Sequence, residues 1–188
     1  MVYFRLNIKF VLALIILLSS CANFSAYFNT FYNAKEQFNE AEIIRKKSEN
    51  NKLSKTATDL YKSSIEKSIS ILSEYPDVSF RKDAYLVIIK SYFFIGEYKE
   101  ANLAITSMQE EFNNEEILEI AYWSALIKWK EGRAQPAINA LINLLEDDID
   151  ISLQSKIYLS IAEIYFEQNL NEKSMDYLEL AAQKIKER

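Results

Sequence analysis

Histidine is absent from this chain of 188 residues, and cysteine occurs once, at Cys21. Without an imidazole there is no Ser-His or Cys-His triad and none of the usual zinc sites. Nor does any unperturbed side chain titrate near neutrality for acid-base work. A lone cysteine excludes an internal disulfide. Glycine and proline number two each. Sheet-rich folds need turn residues at many corners, so this scarcity favours long helices with short connections. Positive charge is also scarce. The formal net charge is −5, and removing residues 1–20 takes away Arg5 and Lys9 and no acid, leaving −7. Nucleic-acid binders concentrate Lys and Arg on one face, so nucleic acid is not an expected partner. Aromatic surface, by contrast, is plentiful, with 12 Tyr and 11 Phe. The chain is long enough for one domain with a real core or one short repeat array.

Residues 1–9 carry two positive charges and no acid, and residues 10–18 form an unbroken apolar run. That run is shorter than the roughly 20 residues a spanning helix needs, so it reads as the core of a signal peptide. It ends in Leu18-Ser19-Ser20-Cys21. These four residues resemble the lipobox of bacterial lipoproteins. The resemblance implies acylation of Cys21 and cleavage by signal peptidase II between Ser20 and Cys21. Residues 1–20 are then a lipoprotein signal peptide and residues 21–29 a lipidated tether. Ala22, rather than Asp, after the cysteine leans toward the outer membrane, on its periplasmic face, in enterobacterial-type sorting. An ordinary signal peptide or an uncleaved anchor, with Cys21 incidental, is the alternative.

From residue 30 the pattern is helical, with Phe31, Ala34, Phe38 and Ala41 at spacings of three and four before the basic run Arg45-Lys46-Lys47. Cations in a last turn oppose the negative end of a helix. The unit that organises the rest is residues 79–113. Tyr85, Ile88, Ile89 and Tyr92 make one apolar face, Gly96 interrupts, and Tyr98, Ala101, Ile105 and Met108 make the next. Such an αα-hairpin cannot bury both faces alone, so it should recur. Tyr61, Ser64, Ser68 and Ile71 precede the second stripe by 37 residues, and Pro76 ends their helix. Ala137, Leu141 and Leu144 follow it by 36, with Pro136 in a first helical turn, where its missing N–H costs nothing. Tyr158, Ile161, Ala162 and Tyr165 restate the first stripe, and Ser174, Leu178 and Ala181 the second. Four helix pairs at a period of 36 to 37 predict an all-α solenoid over residues 30–188.

Tyr85, Ile88, Tyr92, Gly96, Tyr98, Ala101 and the helix-ending Pro76 resemble the tetratricopeptide repeat. Asn169 stands where the family has Gly, Ile89 is larger than its small residue, and Lys128 replaces an aromatic in the third copy. With the lipobox, residues 71–105 resemble the BamD (YfiO) type of lipoprotein of the β-barrel assembly machinery. That resemblance implies a membrane-anchored scaffold binding protein partners in the cell envelope. An envelope lipoprotein binding glycan or peptidoglycan is the alternative, and a hydrolase is disfavoured for want of histidine or a motif.

Phe93, Tyr122, Trp129 and Phe166 lie off the stripes that pair the helices. In this repeat family the same side of the first helices lines a concave groove. Phe93, Trp129 and Phe166 align in successive copies if Gly132 matches Gly96, with Lys90 one turn from Phe93. Lys90, Phe93, Tyr122, Trp129 and Phe166 are therefore the expected partner-binding groove, for Trp and Tyr anchor interfaces most often. Packing against the next repeat is the competing role for each ring. The acids between 146 and 150 lack the alternating ligands and central Gly of a calcium loop, and read as a loop capping the next helix. No cofactor, metal or catalytic residue is expected.

Overall fold

The computed structural model describes residues 30–48, 52–112 and 118–187. The signal peptide, the Ser20–Cys21 cleavage site and the tether through residue 29 lie outside those residues. Among the described residues there are eight α-helices and no strand: α1 Tyr32–Lys47, α2 Lys55–Glu74, α3 Arg81–Ile95, α4 Tyr98–Glu111, α5 Leu118–Lys130, α6 Ala134–Leu144, α7 Ile151–Glu167 and α8 Asn171–Glu187. None is long and apolar enough to cross a membrane. The chain divides into two compact units, Met1–Ile95 and Gly96–Arg188.

In the first unit α2 packs on both α1 and α3, and α1 also touches α3. The start of α2 is fixed by Ser54, whose hydroxyl accepts from the Ala57 N–H at 3.1 Å. That bond satisfies one of the orphan donors of a first turn. The helix ends one residue before Tyr75-Pro76, since the residue preceding proline is pushed out of the α region. Its last carbonyls do not go unmet. Arg81, opening α3, donates to Leu72 O at 2.8 Å and Tyr75 O at 3.1 Å. Between α2 and α3 small residues meet: Ser64 and Ser91 are fully buried, with their hydroxyls 3.4 Å apart. Phe31, Ile71, Val78, Ala84 and Val87 form one core, where Phe31 stacks on Phe80 at 4.8 Å. Ala41, Ala57 and Tyr61 form another, bordered by Phe38 and Phe94.

In the second unit α5 with α6, and α7 with α8, make the two tightest hairpins, while α4 packs on α5 and α6 on α7. The turns closing both hairpins have the same backbone. Gly132 and Asn169 have φ of 85° and 61°. The Gly132 N–H donates to Trp129 O and the Arg133 N–H to Lys128 O. Asn169 and Leu170 likewise donate to Phe166 O and Tyr165 O. This is the paired bonding that terminates a helix through a left-handed residue. Gly96 has φ of 84°, so the left-handed joint recurs 36 and then 37 residues on. Asn169 is a departure in side chain only, because asparagine tolerates this conformation better than other non-glycine residues. A Cβ at Gly132 meets nothing within 4 Å, so Gly132→Ala should cost only the backbone penalty of about 1–2 kcal/mol. Gly132→Asn should cost less than Gly132→Val. Equal losses for the Asn and Val variants in urea denaturation would show that the conformation is not what limits the site.

A small residue recurs at the same position of α2, α4, α6 and α8. Ser64, Ala101, Ala137 and Ser174 are all buried, the least so Ser174 at 4% exposure. Ser174 shows why size matters: its hydroxyl donates to the Ala162 carbonyl of α7 at 2.9 Å. A longer side chain cannot occupy so narrow a gap without moving a backbone. Asp150 caps α7, its carboxylate accepting from the Leu153 N–H at 2.8 Å, as expected of that acidic loop. Leu178 is the exception to the stripe pattern. The equivalent Ser68, Ile105 and Leu141 are at most 6% exposed, whereas Leu178 is 40% exposed.

Candidate functional site

The five expected groove residues divide between the two units, and the structure gives them unlike surroundings. Lys90 and Phe93 stand on α3. Lys90 is half-buried, and Phe93 is buried with its ring 5.4 Å from that of Phe94 in an edge-on contact. Tyr122 and Trp129 stand on α5, and both are buried. Phe166, on α7, is the one exposed ring of the set, at 66%. As it stands, the fold therefore takes Phe93, Tyr122 and Trp129 off the accessible surface.

The reason is visible for the α5 pair. The Tyr122 hydroxyl lies 2.9 Å from the Ser160 hydroxyl of α7, and the Trp129 indole N–H donates to Glu167 at 2.8 Å. Lys130 Nζ reaches the other oxygen of Glu167 at 3.3 Å and lies 3.3 Å from the centroid of the Trp129 ring. The two rungs are seven residues apart on α5 and seven apart on α7, in the same order. The helices therefore run in the same direction, side by side, and each polar tip is met by the neighbouring first helix. Burial pushes the Tyr122 phenol above its ordinary value. Glu163 and Glu119 add to that rise, and the Ser160 bond works against it. Tyr122 is thus a neutral donor and acceptor at any physiological pH, suited to holding two helices together.

A second polar cluster, in the first unit, went unnoticed in the sequence. Arg45 grips Glu42 with two bonds, of 2.8 and 2.9 Å, and lays its guanidinium 4.2 Å over the Phe94 ring. The Tyr61 hydroxyl donates to the same carboxylate, and Lys46 stands 3.4 Å from it. Glu42 and Arg45 at i, i+3 were the available signal, but Tyr61 lies 19 residues on. These groups join α1, α2 and α3.

Among the described residues no group of three or more acidic or cysteine side chains is placed to hold a metal ion. No family model and no curated protein matches the chain. Phe166, exposed, precedes in sequence Glu167, the residue that meets Trp129 and Lys130.

Proposed function

We propose that this chain is a membrane-anchored protein–protein interaction scaffold of the bacterial cell envelope, with its helices in a tetratricopeptide-like solenoid. The observation that carries the reading is the recurring joint. A left-handed residue at Gly96, Gly132 and Asn169 and a buried small residue at Ser64, Ala101, Ala137 and Ser174 repeat at 36 or 37. The parallel neighbours α5 and α7 support it, since first helices of successive pairs stack side by side in such arrays. The anchor rests on the resemblance of Leu18-Ser19-Ser20-Cys21 to a lipobox, and the outer membrane on Ala22. A BamD-like part in outer-membrane protein assembly is the most specific form of the proposal. Sugar binding gains less support, because stacking on a glycan needs exposed ring faces and Phe166 alone of the expected set has one.

Two measurements test it. Cys21→Ala should leave an unprocessed precursor and abolish acyl labelling. One acyl chain binds a membrane only marginally, and stable anchoring needs two or more, at about 0.8 kcal/mol per buried CH2. A variant still cleaved after residue 20 and still labelled would remove the anchor from the proposal. A photo-reactive residue at Phe166 in the full chain should capture an envelope protein in living cells. Capture of peptidoglycan fragments instead would overturn the protein-scaffold reading.

A further inference from the structure

The exposed Leu178 belongs to a larger feature. On α2 the position of Ile65 is 4% exposed, and on α6 its equivalent Ile138 is fully buried; on α8 the same position is Met175, at 57%. Ser68 and Leu141 are likewise fully buried where Leu178 is 40% exposed. The difference follows the packing: α2 packs on α3 as well as on α1, and α6 on α7 as well as on α5, whereas among the described helices α8 packs substantially on α7 only. Met175, Leu178, Ala182 and Ile185 continue at spacings of three, four and three, and all are exposed, Ile185 at 56%. Alternating three and four is the seam spacing of paired helices. The stripe runs beside the face that α8 buries against α7, so it is the face a further helix would cover.

We propose that a second copy of this chain covers it, α8 lying antiparallel against α8 about a two-fold axis near residue 180. The stripe is its own complement in that arrangement. Leu178 falls opposite Ala182 of the other copy, large against small, and Met175 falls opposite Ile185. The charges match as well. Glu172, Asp176 and Glu179 occupy the first half of α8, where the only cation, Lys173, lies over the Tyr165 ring. Lys184 and Lys186 occupy the last turn. On the solvent flank, Glu172 of each copy meets Lys186 of the other, and the helix dipoles oppose. Glu179 alone meets its own image near the axis. A two-fold contact uses one patch twice and closes on itself, so it yields a dimer and no filament. The pairing is independent of the lipid anchor and of any partner at Phe166.

A photo-reactive residue at position 182 of the full-length chain, illuminated in intact cells, tests the proposal. The expected product has twice the chain's mass, with attachment within residues 175–185 of the second copy. Leu178→Glu should reduce its yield at least tenfold, and so should Met175→Lys, which at 57% exposure leaves the fold undisturbed. Circular dichroism of both variants checks their helical content. Glu179→Gln should raise the yield, because it removes the like-charge contact at the axis. Adducts to a different protein, no adduct, attachment elsewhere on the chain, or a yield indifferent to Met175→Lys would each overturn the dimer.

Discussion

Ile161→Ala should lower the unfolding free energy by about 2–5 kcal/mol, the range for deleting three buried carbons from a packed interior. Ile161 is fully buried on α7, as are Ile157 and Ile164. That helix packs on α8, α6 and α5 at once, so its surroundings cannot close on a cavity without moving one of three neighbours. The loss should therefore fall in the upper part of the range. Phe166→Ala, five residues further along the same helix, is the control. Its ring is 66% exposed, and surface substitutions commonly stay within about 0.5 kcal/mol. Urea denaturation followed by far-ultraviolet circular dichroism measures both. If Phe166→Ala costs as much as Ile161→Ala, Phe166 has a buried role that its exposure does not reveal.

The helices were legible because the sequence marks their ends chemically. Ser54, Asp150, Pro76 and Pro136 each act as propensity predicts. The period was legible through the small residues, since Ser64, Ala101, Ala137 and Ser174 are all buried, and at Ser174 the hydroxyl meets a backbone carbonyl of the neighbouring helix. Asn169 misleads only if the glycine is read as a letter; read as a left-handed position, it conforms. The side of the helix to which an aromatic belongs was less accessible. Phe93, Tyr122 and Trp129 sit off the pairing stripes, and a ring there has the same periodicity whether a neighbouring helix or a partner covers it. What decides is a residue 38 positions away, Ser160 for Tyr122 and Glu167 for Trp129. No local pattern encodes that distance. Leu178 fails in the opposite sense: its periodicity assigns it to a core, but burial also requires a helix to lie on it.

Glu42→Ala should cost about 1–3 kcal/mol at neutral pH, the range for leaving buried polar groups unmet. It removes the acceptor for both Arg45 bonds and for the Tyr61 hydroxyl, and Tyr61 is fully buried. The cost stays below the 3–5 kcal/mol typical of breaking a wholly buried ion pair, because the Arg45 side chain keeps 33% of its exposure. The pH dependence identifies the cause. Burial alone would push the Glu42 carboxyl up. The bonds from Arg45 and Tyr61, with the charges of Arg45 and Lys46, outweigh it and hold the carboxyl below its ordinary 4.5. A carboxyl depressed in the folded state contributes stability that is fully present above its unfolded value. That contribution is lost as pH falls through the folded value. Wild type should therefore lose stability on acidification below about pH 5, and Glu42→Ala should lose less over the same interval, so the two curves converge. Tyr61→Phe separates the contributions, since it keeps the ion pair and deletes only the hydroxyl bond. It should retain most of the acid sensitivity that Glu42→Ala lacks. Parallel curves for wild type and Glu42→Ala between pH 7 and pH 3 would mean that the carboxylate is as well stabilised in the unfolded chain. In that case the cluster orients α1 on α2 without contributing to their stability.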